Sequence, residues 1–143
     1  MKTGYIYKIV CNNTNKVYYG STTQKVSQRI GDHRKQFNKY QMGLRNYTSC
    51  YEILEVGNYQ YFTVEKLEFE DKFELRNREK EYILNNECVN KNIPNRTKKE
   101  WVEANKEKIK EQMKIYYENN KEKFKIHNKE YYEKIKNKKC IEN

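Results

Sequence analysis

All five glycines and the single proline, Pro94, of this 143-residue chain lie within its first 94 residues, and the last 49 contain neither. That asymmetry limits the folds open to the chain more than any other feature. Glycine and proline punctuate turns, so only the first part can reverse direction repeatedly and close on a core. The last part can run as uninterrupted helix. Nearly all the aliphatic runs also fall in the first part. We place a boundary near Pro94–Thr97, with a compact domain over residues 1–94 and a basic helical extension over residues 95–143.

Charge follows the same division. Residues 1–94 hold 15 Lys/Arg and 11 Asp/Glu, net +4, whereas residues 95–143 hold 15 and 9, net +6 over about half the length. A net charge of +10 favours a polyanionic partner, nucleic acid first and an anionic membrane surface second. Charge alone decides nothing, because AT-rich coding also enriches lysine and asparagine. The four cysteines, Cys11, Cys50, Cys88 and Cys140, form no C-x-x-C pair and have no histidine at finger spacing. A structural zinc site is therefore not expected, and the scattered thiols suit a reducing compartment. With no apolar run near 18 residues, neither a signal peptide nor a membrane span is read. The expectation is a soluble, intracellular protein with no membrane partner and no small-molecule cofactor.

Within the first part, GYIYKIVC (4–11) and KVYYGS (16–21) are β-branched and aromatic, joined by the turn signal Asn12-Asn13-Thr14-Asn15. A four-residue loop sets Tyr7 opposite Gly20 and Tyr18 opposite Ile9. The two tyrosines then share a face as diagonal neighbours, about 7–8 Å apart at Cα. A three-residue loop would put them on opposite faces. Thr22 or Thr23 suits the N-cap of a helix over about 24–40, with Val26, Ile30 and Phe37 as its apolar stripe. Arg29 and His33, four apart, share one face of that helix. Residues 47–55 read as a short second helix and YQYFTVEKLEF (59–69) as a third strand. Residues 71–87 read as a helix with Phe73, Leu75, Tyr82 and Ile83 inward, followed by strand or coil in CVNKNIP.

From residue 98 the chain repeats itself. VEANKEKIK (102–110), YENNKEKFK (117–125) and YEKIKNKK (132–139) recur every 15 residues, an advance that leaves each repeat ~60° off its starting face on a straight helix. The pattern predicts one long helix, or two broken near Asn119-Asn120. Its apolar stripe is too sparse to fold alone, so the domain, a second copy or DNA must order it.

Tyr5-Ile6-Tyr7 and, eleven positions after Tyr7, Tyr18-Tyr19-Gly20 together resemble the paired signature of the GIY-YIG nuclease domain. The Arg29-x-x-x-His33 helix, the third strand, Glu79 in REKEYI and Asn92 in VNKNIP follow in the family's order. The resemblance covers residues 3–93. Two positions depart from the pattern: Tyr5 replaces the first glycine, with Gly4 one place earlier, and Tyr19 replaces the second motif's isoleucine. By parity Tyr5 shares the face of Tyr7 and crowds it, while Tyr19 lies opposite Tyr18 in place of a core residue.

The resemblance implies an α+β fold, a small three-stranded antiparallel sheet flanked by helices, that hydrolyses DNA phosphodiesters with one divalent metal. Such chemistry needs a nucleophilic water, neutralised charge on phosphorus and a stabilised leaving oxygen. On that reading Glu79 holds Mg²⁺ or Mn²⁺. Tyr7 activates the water, with a phenol pKa lowered from ~10 by nearby cations. Arg29 grips the phosphate, Tyr18 and His33 hydrogen-bond phosphate or water, and Asn92 holds the arrangement in place or touches the phosphate. Lys16, Arg34 and Lys35 are further candidate phosphate contacts, as are Lys98, Lys99, Lys106, Lys110 and Lys121 of the tail. Similar basic repeats follow this domain in proteins of large DNA viruses, where a separate DNA-binding element accompanies catalysis. Past Arg96 the tail has no arginine, so its affinity should be salt-dependent and largely sequence-independent. The expected function is a metal-dependent DNA endonuclease of homing or mobile-element type. The alternative is a degenerate domain that binds DNA without cutting, kept open by Tyr5. A third reading makes the tail an oligomerising coil.

Overall fold

A computed structural model describes residues 1–141, with side chains through residue 137. The chain divides into two units, Met1–Arg96 and Thr97–Asn143. The first contains β1 (Lys2–Cys11), β2 (Val17–Thr22), α1 (Val26–Gln41), α2 (Tyr51–Val56), β3 (Tyr59–Phe69) and α3 (Lys72–Asn85). The second contains α4 (Lys98–Ala104) and α5 (Lys106–Ile141). The α+β class, with its three-stranded antiparallel sheet, is the one expected.

The sheet order is β2-β1-β3, antiparallel throughout. The loop between β1 and β2 holds four residues and is closed by the Cys11 amide donating to the Lys16 carbonyl at 2.9 Å. Asn15 adopts a left-handed φ of 57° there, a conformation asparagine tolerates. The register follows: Tyr7 pairs with Gly20 and Ile9 with Tyr18, so both tyrosines lie on one face.

That face carries the larger core, in which Tyr7, Ile9 and Cys11 of β1 meet Val26 and Ile30 of α1 and Cys50, Tyr51, Ile53 and Leu54 around α2. The other face packs Ile6 and Phe69 against Leu75 of α3. α3 is capped by Asp71, whose carboxylate accepts from the Phe73 amide at 3.2 Å. The outer edge of β2 is covered by the segment after α3, where the Val89 amide donates to the Val17 carbonyl at 2.8 Å.

Some expected details differ. α1 begins at Val26, after an N-cap at Lys25, because the Thr22 hydroxyl accepts from the Gln24 amide at 3.1 Å and closes a turn instead of capping the helix. α2 is shorter than 47–55, starting at Tyr51 after a turn and ending at Gly57 with φ 79°. Phe73 is exposed, since it lies about 200° around α3 from Leu75. The tail helix breaks at Asn105, not at Asn119-Asn120. The Asn105 backbone (φ −114°, ψ 15°) leaves the helical region, while α5 runs unbroken past residue 120. Thr97 and Glu100 form a reciprocal capping box that starts α4. Cys11, Cys50 and Cys88 are free thiols, and the Cys140 side chain lies outside the described residues. Among the described residues no helix is long and apolar enough to cross a membrane.

Candidate active site on one face of the sheet

β1 and β2 deliver the two tyrosines, and the Tyr7 ring lies directly over Gly20. A Cβ on Gly20 would stand 2.5 Å from the Tyr7 hydroxyl and 2.6 Å from Cζ. The glycine of Tyr18-Tyr19-Gly20 is therefore required by space. α1 crosses this face and contributes Arg29 and His33, one turn apart. His33 is buried, its Nε2 2.6 Å from the Tyr7 hydroxyl and its Nδ1 3.4 Å from the Cys50 sulfur. Arg29 Nε donates to the same Tyr7 hydroxyl at 3.4 Å. The Tyr18 ring meets the His33 ring edge-on at 5.7 Å. Glu79, from α3, accepts from the Ser21 hydroxyl of β2 at 2.5 Å, and its charge is felt by both tyrosines.

Burial governs the electrostatics. It pushes Tyr7 up to about 12, against the opposing pull of Arg29, and holds Tyr18 well above the ordinary phenol range. The expectation of a Tyr7 pKa lowered by cations is thus corrected: one guanidinium does not outweigh the loss of solvent. Burial and the Arg29 charge push His33 down to about 4, so its imidazole is neutral at pH 7. Glu79 is raised by burial in spite of the Ser21 hydrogen bond and the Arg29 and Arg76 charges.

A cleft of about 240 Å³ adjoins this cluster, lined by residues that include Ser21, Arg29, Asp32, Lys72 and Arg76. It is positive on balance, with Arg29, Lys72 and Arg76 against Asp32. Lys72, Arg76 and Ser21 went unread in the sequence, where nothing separates them from other helix-surface cations and strand hydroxyls.

Five of the six expected catalytic residues, Tyr7, Tyr18, Arg29, His33 and Glu79, converge. Asn92 is exposed. The asparagine that ties this segment to the site is Asn90, whose side chain accepts from the Tyr19 amide at 2.9 Å and donates to the Tyr19 carbonyl at 2.8 Å. Both lie in VNKNIP, and only the fold separates them. Lys16 is ion-paired with Glu52. Arg34 donates to the Tyr59 hydroxyl at 2.6 Å and lies over its ring. Lys35, Lys98, Lys99, Lys106, Lys110 and Lys121 are exposed.

A sheet that gathers two phenols, a guanidinium, an imidazole and a carboxylate beside a cationic cleft is built on the plan of the small phosphodiesterase domains. Residues 3–92 match the GIY-YIG catalytic domain, and the chain belongs to that family of nucleases, for which DNA is the implied substrate. The chain is also similar to "Uncharacterized protein 019R" of Invertebrate iridescent virus 6, 29% identical over 86 residues. That alignment covers 58% of this chain and 29% of the viral protein, so the chain spans under a third of that relative's length. No solved structure matches the chain.

Proposed function

We propose that the protein is a metal-dependent DNA endonuclease whose basic tail adds affinity for the substrate. The observation that carries this reading is the buried Tyr7–His33–Arg29 cluster set beside Glu79 and the cationic cleft. Its homing or mobile-element setting is part of the same proposal, supported by the viral relative.

The donor set fits a hard divalent cation. Glu79 is a half-buried carboxylate whose raised pKa marks incomplete compensation of its charge. Among the described residues no three His, Cys, Asp or Glu side chains form a fuller metal cluster. One carboxylate suits Mg²⁺ or Mn²⁺, which keep several waters and share substrate phosphate oxygens. Held by Glu79, such an ion would supply charge neutralisation at the phosphate and the leaving oxygen.

The chain's own residues do the rest. Arg29 spends Nε on Tyr7 and keeps its two terminal NH₂ groups for the scissile phosphate. Tyr7 takes a proton from the attacking water at its hydroxyl oxygen as its own proton moves to Nε2 of neutral His33. Weakly basic His33 then returns the proton to Tyr7 as the extra proton leaves the pair to bulk water, which restores the resting state. Tyr18, kept neutral, donates a hydrogen bond to a phosphate oxygen. Asn90 holds β2 in register by occupying the backbone of Tyr19. Lys72 and Arg76 draw the adjacent phosphate into the cleft.

A second reading has one observation in its favour. Tyr7 has 0% exposure and its hydroxyl is engaged by both His33 and Arg29, the state expected of a domain that binds DNA without cutting. A supercoiled-plasmid nicking assay in Mg²⁺ or Mn²⁺ separates the two. Nicking by the wild type that is lost in Glu79→Ala and Tyr7→Phe, both folded, supports the nuclease. Intact plasmid beside a gel shift supports the binding module.

A further inference from the structure

The most unusual surface of the second unit is one face of α5. At about 100° per residue, Ile109, Met113, Tyr117, Phe124, Tyr131 and Ile135 fall within an arc of about 80°. Met113 is 61% exposed, Tyr117 54% and Tyr131 56%, while Ile109, Phe124 and Ile135 are half-buried. Tyr117, Phe124 and Tyr131 are seven residues apart, a rise of about 10.5 Å per step with a drift of only about 20°. The result is a ladder of rings along the helix. The rings of Tyr117 and Phe124 already stack, with centroids 5.5 Å apart and planes at 20°.

Charge is uneven around this ladder. By the same angular spacing, Lys110, Lys114 and Lys121 border it on one side and Lys123 and Lys134 on the other, with no glutamate in between. Every glutamate of α5 lies on the remaining arc, where Lys108, Lys125, Lys129 and Lys136 mix with them.

Three occupants compete for such a face, and the residues choose among them. A second copy of the helix would set the bordering lysines of one chain against those of the other along both sides of the seam. A lipid surface would have to accept Asn120, which sits mid-seam with its amide bonded to the Tyr116 carbonyl at 2.8 Å, together with several tyrosyl hydroxyls. A nucleic acid satisfies both features: phosphates meet the lysines and bases meet the rings. A closed duplex buries its base faces and leaves the rings unused, so the fitting form has unpaired bases, each offering a π face.

We propose that this face of α5 binds single-stranded nucleic acid, with bases stacked on Tyr117, Phe124 and Tyr131 and phosphates on the flanking lysines. The inference rests on the tail's reading as a nucleic-acid-binding element, and not on the cleavage chemistry. It narrows the substrate from DNA in general to DNA carrying an unpaired stretch.

The test is fluorescence anisotropy of the full chain in EDTA, with a labelled 20-nucleotide oligothymidylate and a 20-base-pair duplex, at several salt concentrations. The wild type binds the single strand more tightly. The triple variant Tyr117→Leu, Phe124→Leu, Tyr131→Leu, whose replacements are good helix formers, loses about tenfold or more in single-strand affinity. Its salt slope is unchanged, and duplex binding changes less than threefold. The variant Lys110→Gln, Lys121→Gln instead lowers the single-strand salt slope by about 1.4. Equal losses on both substrates, or no wild-type preference for the single strand, overturn the proposal. So does a dimer, by sedimentation at high salt, that the leucines strengthen. Tighter binding to vesicles of phosphatidylserine and phosphatidylcholine than to the oligonucleotide overturns it too. EDTA separates the two readings: single-strand binding without nicking leaves this proposal standing, and nicking without single-strand preference refutes this proposal alone.

Discussion

Replacing Gly20 with alanine tests how closely the fold and the site depend on one another. Gly20 carries no positive φ and could accept a side chain as far as its backbone is concerned. The obstacle is Tyr7: the added Cβ would lie 2.5 Å from its hydroxyl, 2.6 Å from Cζ and 3.1 Å from Cε1. Reaching ordinary contact moves the ring by about 1 Å, and that displacement breaks the 2.6 Å bond to His33. Overpacking costs about 1–3 kcal/mol and the lost hydrogen bond about 1 kcal/mol. Removing glycine's freedom in the unfolded chain returns about 0.4–1 kcal/mol. The net is about 2 kcal/mol, a fall in Tm of about 10 °C for a unit of this size. Thermal unfolding followed by circular dichroism measures it. In a Tyr7→Leu background, which lacks Cζ and the hydroxyl, the same Gly20→Ala change should cost almost nothing. An equal fall in both backgrounds would refute the reasoning, because the cost would then not pass through the ring. Nicking by Gly20→Ala should fall with the displaced phenol.

The depressed His33 pKa sets a sign for stability against pH. The unfolded chain takes up a proton near 6.5 and the folded one only near 4, so stability falls as pH drops through that window, by about 3 kcal/mol in all; Tm against pH should be flatter between 6.5 and 5 in His33→Asn. Asn90→Ala should destabilise by about 1–3 kcal/mol in urea unfolding, since it strands both backbone groups of Tyr19, whereas Asn92→Ala should have little effect; the reverse order would return the framework role to Asn92. The acid limb of nicking should follow deprotonation of Glu79, which burial holds above the ordinary carboxylate range. Arg76→Gln removes a cation that opposes this shift and should move that limb to higher pH, as a pH–rate profile would show.

The β1–β2 hairpin was legible because its determinants are local. Four polar loop residues set the parity, and parity alone put Tyr7 and Tyr18 on one face. The strand at 59–69 was read to the residue, since alternation and flanking turns bound it. Helix ends were less legible. Whether Thr22 caps a helix or closes a turn depends on where the chain goes next, and the break at Asn105 rather than at Asn119-Asn120 has no local signal, since Asn120 makes the same bond to the carbonyl four residues back as Asn105 does.

By itself the sequence determined the α+β class and the shared face of the tyrosines. Periodicity and turn chemistry act within a few residues, so one chain suffices to read them. Only the tertiary structure decided that Asn90 rather than Asn92 braces β2, that Ser21 and Arg76 attend Glu79, and that Tyr7 is a neutral phenol raised to about 12. Each of those outcomes depends on which distant side chains exclude water from a group or reach its lone pairs. Desolvation is a property of everything packed around an atom, and no stretch of sequence carries it alone.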